Sequence, residues 1–159
     1  MTVRSLYLNQ HLEKLINILS VLAPIKLAAL VLLAQVINSS LFSFVFFPED
    51  NSGPHFESIV ERIILVIVIA PIVETYIFHY WLIKKILKHS TNNKILSLTV
   101  SSLIFGLGHH YSIAYILNAT IAGIFYVLMF FAITENKRNP YFYIAATHAS
   151  FNFIGFLIT

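Results

Sequence analysis

The feature that most constrains this chain is a succession of long apolar stretches separated by short, sparsely charged segments. Its 159 residues include only 10 Lys and Arg and 7 Asp and Glu, so 11% are charged while 58% are hydrophobic. A water-soluble domain of this length needs a polar surface, and so few charges cannot cover one. Lipid must solvate most of the outer surface. The length admits a single integral membrane domain, 1–159, with about five spans of roughly 20 residues each.

Composition also removes several classes of function. The absence of cysteine excludes a disulfide framework, a thiolate nucleophile and any Cys-based zinc site. A net charge of +3, scattered along the chain, does not suggest a nucleic-acid partner and fits the basic bias of cytoplasmic loops. The first dozen residues are polar and interrupted, so a cleavable signal peptide is not expected.

The opening stretch RSLYLNQHLEKLINILSVL places Leu8, Leu12, Leu15, Ile16 and Leu19 at helical spacing. Asn9, Glu13, Lys14 and Asn17 lie on its other face. This pattern predicts an amphipathic interfacial helix that ends near Pro24. Spans are then expected over Leu27–Phe47, Ile59–Ile83, Ile95–His110, Ser112–Ile133 and Tyr141–Ile158, the third being short. The fold class is all-α, a polytopic membrane helical bundle. Loop charge supports this path. With the N-terminus in the cytoplasm, Lys84, Lys85, Lys88 and Lys94 fall inside with Lys137 and Arg138, and the acidic Glu49–Glu57 segment falls outside.

An ionisable side chain in a bilayer costs about 3 kcal/mol on insertion scales, so it usually faces a polar cavity and a partner. Here such residues are few: Glu74 and His79 in the second span, His109 and His110 ending the third, and His148 in the fifth. Asn152 lies one helical turn beyond His148, on the same face. A rise of about 1.5 Å per residue puts Glu74 roughly 15 Å, His148 roughly 10 Å and Asn152 roughly 16 Å from the basic edge, with His109 deeper. Three spans thus deliver polar groups to a similar level. A carboxylate out of bulk water is suited to taking a proton from a bound water. An imidazole beside it can share that water, hold it, or bind a metal together with the carboxylate. Asn and a further His are donors suited to the oxyanion of a tetrahedral intermediate. His110 is expected at the interface, and His79 can equally be an interhelical hydrogen-bonding residue.

These residues fall into three motifs. PIVETYIFHYWL, Pro71 to Leu82, resembles the first motif of the CAAX protease and bacteriocin-processing family, also called CPBP or Abi, which reads EExxxR. SSLIFGLGHH contains the second, FxxxH, as Phe105 and His109, and THASFNF contains the third, HxxxN, as His148 and Asn152. Order and spacing agree over Pro71 to Phe153, about half the chain, within a motif-bearing core of 59–158.

The resemblance implies an intramembrane endopeptidase like those that remove the C-terminal tripeptide of prenylated CAAX proteins. Glu74 and His109 would activate water, and His148 and Asn152 would stabilise the oxyanion. It implies a peptide or lipidated-peptide substrate within the bilayer and a bacterial or archaeal cell membrane. It fixes no cofactor: many bacterial members are described as metalloproteases, while water activation by Glu and His without a metal is the favoured mechanism. A divalent zinc ion, if one binds, would take Glu74, His109 and His148. The sequence leaves the pattern at two positions, because the second Glu is Thr75 and the Arg is His79. Four residues apart on a helix, these two can touch, as a Thr–His pair in place of an ion pair supporting the site or its substrate. Phe78, Phe105 and Phe151 are candidate apolar walls. Two other readings remain: a non-catalytic membrane protein binding a peptide in the same cavity, such as a bacteriocin immunity factor, and a small transporter. The absence of paired repeats argues against the transporter.

Overall fold

The computed structural model describes residues 3–48, 54, 56–90 and 93–158. Among them the chain runs as six helical rods with no strand: α1 Val3–Ser20, α2 Pro24–Phe46, α3 Ile59–His89, α4 Lys94–Gly108, α5 Ile113–Glu135 and α6 Tyr141–Ile158. Local chemistry sets the boundaries. Pro24 opens α2, where a missing N–H costs nothing. Ser58, Asn93 and Ser112 cap α3, α4 and α5, each side-chain oxygen accepting a backbone N–H three residues on.

Helix α3 is irregular. Its segment Ile63–Ile69, IILVIVI, is π-helical, as is Ile77–Trp81. Pro71 lies just beyond the first of these. A proline ring inside a helix clashes with the carbonyl four residues back, and widening to an i→i+5 pattern relieves the clash. Branched side chains crowd the same turns.

Helix α5 is the central rod. Tyr126, Val127, Met129, Phe130 and Ile133 are buried on it, and all the other rods touch it. Its closest neighbour is α4. Backbones approach where Gly106 faces Thr120 and Gly123 faces Ser102; a Cβ at Gly123 would lie 3.0 Å from Ser102 Cα. By contrast, α2 and α3 expose Leu30, Leu33, Ile37, Ile64, Leu65 and Val68, as a lipid-facing surface does.

Four helices, α2, α3, α5 and α6, are long and apolar enough to cross a membrane. Helix α4, the expected third span, is shorter: its 15 residues extend about 22 Å against a hydrocarbon core of about 30 Å. It stops at Gly108, so His109 and His110 lie in the turn beyond it and not within it. The second span is longer than expected, continuing past Ile83 to His89. Glu49 and Asp50 of the acidic segment lie outside the described residues.

Helix α1 does more than present an amphipathic face. Ile16 is fully buried, with Leu12 and Leu19 packed beside it, while Leu8 and Leu15 are exposed. Lys94 Nζ bridges Glu13 and Glu135 at 2.9 Å each, and Asn136 donates to Ser20 O at 2.7 Å. The ends of α1 and α5 and the start of α4 therefore meet at one end of the bundle. Ile16→Ala should lower stability by about 2–5 kcal/mol, and Leu15→Ala by less than about 0.5, in reversible unfolding of the detergent-solubilised protein. Equal small effects would show that α1 does not pack on the bundle.

Candidate active site

Glu74 sits one turn after Pro71 on α3, on the side facing α4 and α6. Its Oε2 stands 3.8 Å from His109 Nε2 and 3.8 Å from His148 Nε2. Both gaps exceed a direct hydrogen bond and suit a shared water at about 2.8 Å from each atom. Three rods thus bring a carboxylate and two imidazoles to one point, as their depths in the sequence anticipate.

The end of α4 fixes His109. The last carbonyls of a helix lack intrahelical donors, and His109 Nδ1 meets the carbonyl of Phe105 at 2.8 Å. A carbonyl can only accept, so Nδ1 carries the proton. In the neutral ring the lone pair is then on Nε2, which faces Glu74. His109 and Glu74 therefore present two acceptors to the space between them.

His148 is buried on α6, its Nδ1 without a hydrogen-bond partner among the described residues. Asn152, one turn on, does not join the Glu74 cluster directly. Its Nδ2 donates to the Val66 carbonyl on α3 at 2.8 Å.

Phe105 holds the group together. Only 2% exposed, its ring lies 4.6 Å from His109, 4.7 Å from His79, 5.8 Å from His148 and 5.8 Å from Phe78, centroid to centroid. Thr75 and His79, whose spacing lets them touch, are not joined by a hydrogen bond. Both are fully buried; among the described residues Thr75 Oγ1 has no hydrogen-bond partner, and His79 Nδ1 lies 3.5 Å from Ser101 Oγ on α4. His79 thus joins two helices, one of the roles open to it from sequence.

A cavity of about 1280 Å³ reaches this group from the bundle end opposite Lys94. Phe105, His109, His148, Phe151 and Asn152 line it together with Asn38, Arg62, Tyr115 and Asn118, and it meets the cluster at the two imidazoles, since Glu74 is not a lining residue. Phe78 is not among the lining residues and instead packs on Phe105. An open groove on α1, lined by Asn9, Glu13, Lys14 and Asn17, carries none of these groups.

A model of the family "Type II CAAX prenyl endopeptidase Rce1-like" matches residues 56–154, more than half of the chain. The chain belongs to that family. It is an integral membrane protein. The match spans Glu74, His109, His148 and Asn152 and leaves α1 and α2 outside it. The chain matches no curated protein and no solved structure.

The residues named for a zinc ion, Glu74, His109 and His148, converge on one carboxylate oxygen. Yet no group of three His, Cys, Asp or Glu side chains among the described residues is arranged to hold a metal ion. Sequence reasoning missed Tyr126 and Gln35. Tyr126 lies 5.0 Å from His79 and 5.2 Å from His148, ring to ring, and donates to Gln35 Oε1 at 2.9 Å. Gln35 was accessible to the rule that flags polar residues in apolar spans. Tyr126 was not, because one tyrosine in an aromatic-rich span carries no signal. In ¹⁵N-histidine NMR, His109 should appear in the neutral form as the Nδ1–H tautomer. A protonated Nε2 in neutral His109 would contradict the geometry.

Proposed function

We propose that this protein is an intramembrane peptidase that hydrolyses a membrane-associated peptide with a water activated by Glu74 and His109. The observation that carries this reading is the convergence of Glu74 Oε2 with two imidazole Nε2 atoms, at 3.8 Å each, inside an apolar bundle of this family. A water in that space donates one hydrogen to the carboxylate and one to the His109 Nε2 lone pair. Its own lone pair then points to a substrate carbonyl. As the oxygen attacks, Glu74 takes the proton, and later passes it to the departing amide nitrogen. The tetrahedral oxyanion receives a hydrogen bond from His148 through Nε2–H, the tautomer that leaves its unpartnered Nδ1 bare. Asn152 is the second donor.

The mixed lining of the cavity, with Phe42, Phe47 and Phe151 beside Asn38, Asn118 and Asn152, supports an extended peptide substrate, with or without a lipid. We place the N-terminus in the cytoplasm, because Lys84, Lys85, Lys88, Lys94, Lys137 and Arg138 gather in segments that meet at one end. The cavity then opens toward the other side.

The test is cleavage of a quenched-fluorescent peptide with an apolar C-terminal tail, with and without a prenyl group, by the protein in liposomes. Glu74→Gln should lower kcat about 10²–10⁴-fold, His148→Ala about 10²–10³-fold, and Lys84→Gln should have no effect. Full activity in a stably expressed Glu74→Gln protein rules the hydrolytic reading out. Stoichiometric zinc in the purified protein, lost on His109→Ala, would replace the metal-free water with a metal-bound one. A second reading has a specific observation behind it: the first motif has lost its second Glu and its Arg to Thr75 and His79. A non-catalytic peptide-binding protein, an immunity factor for example, would retain its biological activity in Glu74→Gln.

A further inference from the structure

Val66 has an unusual carbonyl. In an α-helical pattern it would accept from Ala70 N–H, but that group donates to Leu65 O across the π-helical stretch. In the π-helical pattern its donor would be residue 71, and Pro71 has no N–H. Neither helical donor reaches it. In a membrane such a carbonyl must be satisfied by another part of the protein, since lipid offers no donor. Asn152 Nδ2 does this from α6, at 2.8 Å.

We infer that Asn152 is a positioning residue whose amide replaces the donor that Pro71 lacks, clamping α6 to the break in α3. The clamp lies between the two catalytic elements. Pro71 precedes Glu74 by three residues and Asn152 follows His148 by four, so each is one turn from the side chain it aligns. Tyr141 reinforces the same pairing at the far end of α6, its hydroxyl donating to Ile72 O at 3.2 Å. The remaining consequence rests on the peptidase reading: with one N–H held by Val66, Asn152 brings a single N–H to the oxyanion, and His148 supplies the other donor.

The two residues should therefore be coupled, and a double-mutant cycle reads this without any assay of activity. Wild type, Asn152→Leu, Pro71→Ala and the double variant are unfolded reversibly as full-length proteins in detergent. Asn152→Leu keeps the volume and removes the donor. It should shift the unfolding equilibrium about tenfold in the Pro71 background, and less than about threefold with Pro71→Ala, where a backbone N–H is restored. Equal shifts in the two backgrounds overturn the inference. If Asn152→Leu does not accumulate, recovery of folded protein in the double variant supports the inference, and its failure to recover overturns it.

A spectroscopic arm separates positioning from bulk stability. In ¹⁵N-histidine-labelled protein, the His148 ring signals should move in Asn152→Leu and return toward wild-type positions in the double variant. Signals that stay put in the single variant, or stay displaced in the double, count against alignment. Loss of the peptidase reading would leave the stability cycle untouched, and an uncoupled cycle would leave the Glu74 experiment untouched.

Discussion

A backbone carbonyl inside a bilayer has to find a donor within the protein, and this requirement organises the interior of the bundle. Regular helices meet it by themselves. Where a helix is irregular or ends, a side chain must take over, and here those side chains belong to the candidate site. Asn152 donates to Val66 O beside Pro71, Ser101 donates to Phe78 O at 2.6 Å in the second π-helical stretch, and His109 donates to Phe105 O at the end of α4. The polar groups are thereby fixed in place by the backbone's own needs.

The same requirement shapes the geometry of the candidate site. Because His109 must donate through Nδ1, its Nε2 is the acceptor turned to Glu74. The short α4 matters for this. A helix that crossed the whole bilayer would have no terminal carbonyl at this depth, and a histidine in mid-helix would be free to rotate. The glycine contacts between α4 and α5 hold the short helix against the central rod despite its length.

Family membership covers the segment with the three motifs and leaves α1 and α2 to be explained by packing. Helix α2 closes the site from the other side: Gln35 receives the Tyr126 hydroxyl, and Asn38 pairs with Asn118 across the cavity wall. Helix α1 is held by Ile16 and by the Glu13–Lys94–Glu135 ion pairs. At the altered motif positions, Thr75 and His79 are enclosed in the core. Thr75 brings no charge to be desolvated there. A Glu–Arg pair in the same place would need a full set of hydrogen bonds to offset its desolvation.

Much of this was legible in the residues themselves. Apolar length and sparse charge determined a helical membrane bundle, because the cost of exposing polar backbone to lipid leaves few other folds for such a chain. Helical rise alone put Glu74 and His148 at similar depth with His109 somewhat deeper, and the folded bundle brings all three together. Tertiary structure decided the rest. Sequence spacing treats every turn as equal, so it could not show that α3 widens before Pro71, that His79 lies against Ser101 of α4, or that Asn152 reaches for Val66. Nor could it show that His109 stands beyond the end of its helix, since a helix terminus is set by packing against α5 as much as by local propensity. Sequence decided which side chains lie inside the membrane, through the energy of burying them. Which atoms they turn to depends on the carbonyls that the folded helices leave unsatisfied.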